Sequence, residues 1–332
     1  MEDKTKWGIL GTANIAKKAL IPGILAAQNC ELHAIAGRKK EKIEEFKELF
    51  NPSRTYSSYD ELLDDDQVQA VYIPLPNALH LEWTIKALEK GKNVLCEKPI
   101  ALDELEAKRM FGVASDKKKV LMEAFAYIHN PLIKKVKEIA DSGKIGELKA
   151  IDCNFTFDLT SRIDDIRWSK HLSGGAMYDL GCYTLHFSRF IAGSEPSQIH
   201  SMIKRTKDGV DEETTVLMRF ENDIHCTFHV SFVQPFDQLC RIQGTKGTII
   251  TPLTFNEKGT LKYYIQAGRD CSEFTVESPD NYMLEATHFA NVLQGKERPI
   301  ISREDSIQNA YFIKKILEAD STARTQIQMT QL

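Results

Sequence analysis

The 332-residue sequence predicts two halves of different construction. Residues 1–125 read as a doubly wound parallel α/β sheet, and residues 126–332 as an α+β half built on an open antiparallel sheet. Three observations carry this. Short apolar runs alternate with helical patterns through the first half, which implies a parallel sheet covered on both faces. Beyond about residue 130, alternation with period two takes over. At the very start, Gly11-Thr12-Ala13 separates an apolar run from an amphipathic helical pattern.

The elements follow in order. Strands are expected at Trp7–Leu10, Leu32–Ala36, Ala70–Ile73, Val94–Cys96 and Val120–Met122. Helices are expected between them at Ala16–Ala27, Glu41–Phe50, His80–Glu89 and Glu104–Ala114, the first open to interruption at Pro22-Gly23. Right-handed crossovers then give the doubly wound arrangement. In the second half a helix falls near Pro131–Ser142. Strands follow at Leu148–Phe157, Thr214–Phe220, Ile224–Phe232, Leu239–Gln243 and Leu261–Ile265, with a helix at Ala176–Ala192 among them. The chain closes on helices at Met283–Leu293 and Arg303–Ala319.

Composition narrows the function. The chain is 42% hydrophobic and 27% charged with a net charge of −4, which is globular and not basic, so nucleic acid is not an expected partner. No stretch reaches the length of about 18 apolar residues needed to span a membrane. The charged N-terminus runs straight into a strand, so no signal peptide is expected. Seven cysteines without a C-x-x-C pair suit free thiols in a reducing cytoplasm. His225 and His229 share a strand face but lack a third ligand nearby, so no metal is expected.

Ligands of such a sheet bind outside the carboxyl ends of its strands. After the first run comes Gly11-x-Ala13-x-x-Ala16, a variant of the glycine fingerprint that seats a diphosphate on a helix N-terminus; a purely structural turn would read the same way. After the second comes Arg38, where a carboxylate would select NAD. A planar guanidinium suits a 2′-phosphate instead. After the third, Pro74 and Pro76 fix the exit path, Asn77 suits a helix cap and His80 sits in the helix's first turn; packing alone would also explain the histidine. After the fourth, Glu97-Lys98-Pro99 places a lysine whose backbone is restricted by proline or held cis. Beside a positive nicotinamide its protonated form is disfavoured, which suits proton transfer. Further on, Asp179, Tyr183 and His186 follow Gly174-Gly175 at spacings that share one helix face, towards a polyhydroxylated ligand or towards solvent.

Taken in order, Gly8-Ile-Leu-Gly11-Thr-Ala13-x-Ile-Ala16, Pro74-x-Pro76-Asn77-x-x-His80, Glu97-Lys98-Pro99 and Gly174-Gly175-Ala-x-x-Asp179-Leu-Gly181-x-Tyr183 resemble the glucose–fructose oxidoreductase / inositol dehydrogenase family, Gfo/Idh/MocA. Met122-Glu123-Ala124-Phe125 and Ile166-Arg167 fit the same pattern. The resemblance implies a Rossmann domain with bound NADP or NAD, and an open-faced sheet domain. It places the family's essential lysine on Lys98. A tyrosine, Tyr183, stands where many members carry histidine. That is similar to the glucose–fructose oxidoreductase, dimeric dihydrodiol dehydrogenase and NADP-dependent xylose dehydrogenase branch, in which the tyrosine is acid/base.

The expectation is therefore an NADP-preferring oxidoreductase acting on a sugar or cyclic alcohol. Tyr183 is the acid/base, assisted by Lys98. Asp179, His186 and Arg167 hold the substrate. Gly11, Thr12, Ala13, Asn14, Ile15, Arg38, Pro74, Pro76, Asn77, His80, Glu97 and Lys98 line the cofactor. A non-catalytic dinucleotide sensor, or a subunit whose sheet binds another protein, uses the same fold. Phe228, Val230 and Phe232 form an apolar stripe that predicts a homodimer or tetramer joined through the second sheet.

Overall fold

The computed structural model describes residues 4–252 and 255–319. Its first sheet has six strands: β1 (Thr5–Leu10), β2 (Cys30–Ala36), β3 (Arg54–Tyr56), β4 (Ala70–Ile73), β5 (Asn93–Glu97) and β6 (Leu121–Ala124). They run in the order β3-β2-β1-β4-β5-β6, every pair parallel. The strands are apolar without alternation because both faces are covered. Trp7, Ile9, Tyr72, Leu95 and Met122 enter one core, and Leu10, Val71, Ile73, Val94 and Cys96 the other. Five helices pack between them: α1 (Ile21–Ala26), α2 (Lys40–Phe50), α3 (Tyr59–Leu63), α4 (His80–Glu89) and α5 (Glu104–Asp116).

Two departures from the sequence reading are local. The helix expected at Ala16–Ala27 is a wide π turn over Ala16–Leu20 that passes into α1, with Pro22 in the first positions of the α segment. A proline has no N–H to give to the preceding turn, so the ladder changes register there. β3 and α3 carried too little apolar pattern to announce themselves; α3 starts on a Ser58 capping box with Glu61.

The second half begins with α6 (Pro131–Asp141) and β7 (Leu148–Asp158), then α7 (Cys182–Ala192), β8 (Pro196–Arg205), β9 (Asp211–Phe220), β10 (His225–Ser231), β11 (Val233–Gly244), β12 (Thr248–Thr251), β13 (Gly259–Ala267) and β14 (Asp270–Ser278). The sheet order is β14-β13-β12-β11-β7-β10-β9-β8. It is mostly antiparallel, with one correction: β7 and β10 pair in parallel at its centre. Parallel neighbours need a long crossover, and α7 with the β8–β9 pair supplies it.

One face of this sheet buries Cys153, Phe155, Cys226, Phe228, Val230, Cys240 and Ile242 in the core shared with α7. The expected interface stripe is thus corrected. Phe228 is 2% exposed, and Val230 and Phe232 are 0% exposed. The stripe is core, not a wet surface. The opposite face is polar: Thr227 and Gln243 donate to Asp152, and His229 lies between Thr215 and Gln234.

The last two helices return to the first sheet. In α8 (Asn281–Leu293), Phe289 packs on Trp7 with ring centroids 5.2 Å apart, and α9 (Arg303–Ala319) sends Ile307 and Ala310 into the core on the other face. Among the described residues no helix is long and apolar enough to cross a membrane.

Candidate functional site

The carboxyl edge of the parallel sheet carries the turn between β1 and the π turn. Gly11 donates its N–H to Ala36 O at 2.9 Å and has φ +123°, which L side chains rarely adopt. A Cβ there would lie 3.1 Å from Leu75 Cδ2 and 3.6 Å from the Tyr59 hydroxyl. The missing side chain leaves a cradle beside the start of a helical segment. Thr12, Ala13 and Ile15 are partly exposed around it, and Asn14 is exposed. No acidic residue stands in the first turn to repel an anion. These residues fit the diphosphate of a dinucleotide. Exposed Arg38, at the end of β2, interacts with the Tyr59 hydroxyl and so stands on the same side as the cradle.

The segment after β4 serves as scaffold. Pro74 is buried and Pro76 partly exposed. Asn77, expected as a cap, instead donates from Nδ2 to Ser173 O at 2.8 Å and ties this loop to the second half. His80, expected on the cofactor wall, has 0% exposure. Its Nε2 is 2.8 Å from Leu75 O and its Nδ1 2.9 Å from Pro99 O. Both ring nitrogens lie against backbone carbonyls, and a neutral ring donates to one of them at a time. It joins the loops that follow β4 and β5, and burial lowers its pKa.

Lys98 follows β5, and its bond to Pro99 is cis. Its ammonium lies 2.9 Å from both Asp179 Oδ1 and Asp179 O, and 4.6 Å from the Tyr183 ring centroid. Burial by itself would favour the neutral amine, but Asp179, with Glu97 adding to it, holds the lysine above its ordinary value. With Asp179 beside it, the ammonium form is the resident one. Glu97 accepts from the Tyr72 hydroxyl and from Lys98 N. Its burial raises its pKa, while Lys98 and Tyr72 oppose the rise.

Asp179 lies in a second π turn, Met177–Gly181, that leads into α7. The turn reaches the cleft because two glycines precede it. A Cβ on Gly174 would stand 2.2 Å from Arg167 O, and one on Gly175, at φ +132°, 2.0 Å from Asp211 Oδ1. Arg167 Nε donates to Asp179 Oδ2 at 2.6 Å, and its Nη1 reaches Asp165 Oδ1 at 3.2 Å. Burial would raise the Asp179 carboxyl, but Arg167 and Lys98 hold it ionised, far below the usual range. The carboxylate thus aligns both cations.

Tyr183, at the start of α7, is walled by Phe125, Tyr127, Phe155 and Phe255, with ring centroids at 5.5, 5.7, 5.9 and 5.2 Å. Burial drives its phenol well above the ordinary value, and the Asn256 side chain opposes by hydrogen bonding. The phenol is therefore protonated in the resting site. His186, expected to hold substrate, is 1% exposed, with both ring nitrogens engaged by Tyr127 and Asp305. It faces the interior because α7 turns that side away from the cleft.

The structure adds residues that the sequence did not announce. Tyr59, Tyr72 and Asn256 interact with expected site residues, and Tyr282, on the first turn of α8, feels Tyr183, Glu97 and Lys98. None stands in a motif; each comes from a segment remote in sequence.

Comparison with known proteins gives the same frame. Residues 5–125 match the oxidoreductase family with an NAD-binding Rossmann fold, and residues 133–250 match the GFO/IDH/MocA C-terminal domain. A D-xylose 1-dehydrogenase (NADP(+)) of Haloferax volcanii is 34% identical over 320 residues, covering 95% of this chain and 97% of the relative. A trans-1,2-dihydrobenzene-1,2-diol dehydrogenase of Xenopus laevis is 28% identical, covering 95% and 97%. The crystal structure of a 3-ketoreductase from Actinomadura kijaniata in complex with NADP and TDP-benzene superposes with a TM-score of 0.91 at 27% identity, covering 96% of this chain and 98% of that one. With both halves matched in order and the dinucleotide cradle present, the chain belongs to the Gfo/Idh/MocA family of NAD(P)-dependent oxidoreductases.

Proposed function

We propose that this enzyme transfers a hydride between NADP(H) and a carbon bearing a hydroxyl on a sugar or related cyclic alcohol, with Tyr183 as acid/base and Lys98 holding the reacting oxygen. The observation that carries the reading is the Lys98 ammonium clamped to Asp179 and seated over the Tyr183 ring at the end of β5. The relatives support the substrate class, since their names refer to D-xylose, a dihydrodiol and a keto sugar nucleotide.

The turn at Gly11–Ile15 would hold the diphosphate and Arg38 the 2′-phosphate. The cofactor supplies or accepts the hydride when bound. Lys98 draws electron density from a carbonyl or hydroxyl oxygen placed against it. Tyr183 then gives its proton to that oxygen, or takes it in the reverse direction. Asp179 keeps Lys98 charged and Arg167 oriented. The resident protonation, a phenol and an ammonium, is set for reduction. Oxidation requires Tyr183 to lose its proton first. We expect a homodimer or tetramer joined through the second sheet. The seven free cysteines, six of them buried, suit a cytoplasmic location.

The test is a panel of aldopentoses, aldohexoses, inositol and trans-dihydrodiol with NADP and NAD, followed by absorbance at the reduced-nicotinamide band. Turnover of at least one member, faster with NADP, is expected. No turnover of any member in either direction, with nucleotide bound, overturns the reading.

A further inference from the structure

His186 is the one member of the Asp179–Tyr183–His186 stripe that turns away from the cleft. Its Nδ1 lies 2.5 Å from the Tyr127 hydroxyl and its Nε2 2.9 Å from Asp305 Oδ2. Asp305 is held from two further sides. Its Oδ1 accepts from Arg189 Nη1 at 2.8 Å, and its N–H donates to Ser302 Oγ at 3.1 Å. Arg189 is itself buried and fixed by Glu195, Nε to Oε2 and Nη2 to Oε1 both at 2.6 Å. Burial would raise the Asp305 carboxyl, but His186 and Arg189 hold it ionised. An ionised carboxylate against Nε2 makes that nitrogen a donor to Asp305, and Nδ1 is engaged by the Tyr127 hydroxyl.

The consequence reaches Tyr183. The imidazole stacks on Phe125 with centroids 4.5 Å apart at 18°, and hydrogen-bonds Tyr127. Phe125 and Tyr127 are two of the four rings around Tyr183. A hydroxyl, an imidazole and a carboxylate in series is the arrangement in which the middle group is oriented by the last. Here Tyr127 is 0% and His186 1% exposed, so neither presents an edge to substrate.

We propose that Tyr127–His186–Asp305 is a positioning chain that runs from the first turn of α9 into the aromatic wall and fixes the attitude of the Tyr183 phenol, so that proton transfer depends on a carboxylate outside the cleft. The proposal rests on the acid/base reading of Tyr183. Without the chain Tyr127 can rotate, and the phenol loses the wall that aims it.

Tyr127→Phe keeps the ring and removes the hydroxyl. Asp305→Asn keeps the shape at a partly exposed residue. Each should lower kcat about tenfold, the scale of one hydrogen bond's net worth. NADPH affinity by fluorescence titration should not change, and the D2O effect on kcat should grow as proton transfer becomes limiting. The substrate is the panel member turned over fastest. In single-turnover measurements on a Tyr183→Phe background, neither substitution should cost anything further, because the group it positions is gone. Wild-type kcat and D2O effect in both single variants overturn the positioning chain. So does an equal fractional loss in the Tyr183→Phe background, which would mark a general loss of packing. Undiminished turnover by Tyr183→Phe alone overturns the acid/base reading instead, and the two failures are thereby told apart.

Discussion

The cofactor edge and the proposed catalytic face are built on opposite principles. At the cofactor edge the working parts are backbone and absence: Gly11 has no side chain, the helical start has no acid, and Arg38 stands open to solvent. At the catalytic face the working parts are side chains locked to one another, with Lys98, Asp179 and Arg167 in one charge cluster and Tyr183 in a ring of four aromatics. An edge made of backbone accepts one ligand and is adjusted by single side chains. A face made of mutual contacts is altered as a unit.

The largest expected effect tests the second half of that contrast. Lys98→Met and Tyr183→Phe should each lower turnover by about 10²–10⁴-fold, the usual cost of removing a positioned proton-transfer group. NADPH binding should survive, and the double variant should be little worse than either single one. Single-turnover rates beside fluorescence titrations measure both. Additive losses would mean that the face does not act as a unit.

Next in size is a pH effect between the two regions. Glu123 is 1% exposed and accepts from Ile100 N at 2.9 Å. Burial pushes its pKa from 4.5 up to about 7, against the pull of Ser306 and Ile100. The folded chain therefore keeps a proton that the unfolded chain loses. Stability from this group is complete below pH 4.5 and falls as pH rises to about 7, by an amount of about 3 kcal/mol. Glu123→Gln mimics the protonated form. Thermal melts from pH 4.5 to 8 should show a smaller decline in the variant than in the wild type; Asp211, raised by burial to about 6, contributes equally to both. Parallel declines would mean that Glu123 is ionised in the fold.

The first half of the contrast is tested by Arg38→Asp. NADP(H) affinity should drop by about ten- to a hundredfold, the range of a charge-assisted phosphate contact, with NAD(H) unchanged or improved. Titration of both nucleotides decides it; equal affinities in the wild type would remove Arg38 from the site. The smallest effect is expected from His225→Ala, on the exposed outer side of β10, which should leave rates and nucleotide binding within error.

What the sequence disclosed follows the same division. The parallel sheet was legible because its signals are local: apolar runs, a glycine turn, prolines after strands. Lys98, Asp179 and Tyr183 were legible as types and positions, and the structure brings them together. Their protonation was not legible. The charge of Lys98 depends on Asp179, 81 residues away, a partner that its own motif does not contain. His80 and His186 misled for a related reason. A polar residue at helical spacing near a motif resembles a ligand-binding group. Only the carbonyls of Leu75 and Pro99, or Tyr127 and Asp305, reveal that its hydrogen bonds are already used. The apolar stripe on β10 failed because alternation says that one face is buried without saying which.

The seating of α8 against the first strand has a consequence for biosynthesis. Trp7 rests on Phe289, and Gly23 sits so close that a Cβ would stand 2.6 Å from the Tyr282 carbonyl carbon. The nucleotide-binding half therefore lacks part of its cover until the ribosome has made the chain through α8. Contacts of that sequence separation close late and slowly. A nascent or truncated product ending near residue 125 exposes Trp7, Ile24 and Leu32 to solvent, and becomes a candidate for chaperone capture and proteolysis.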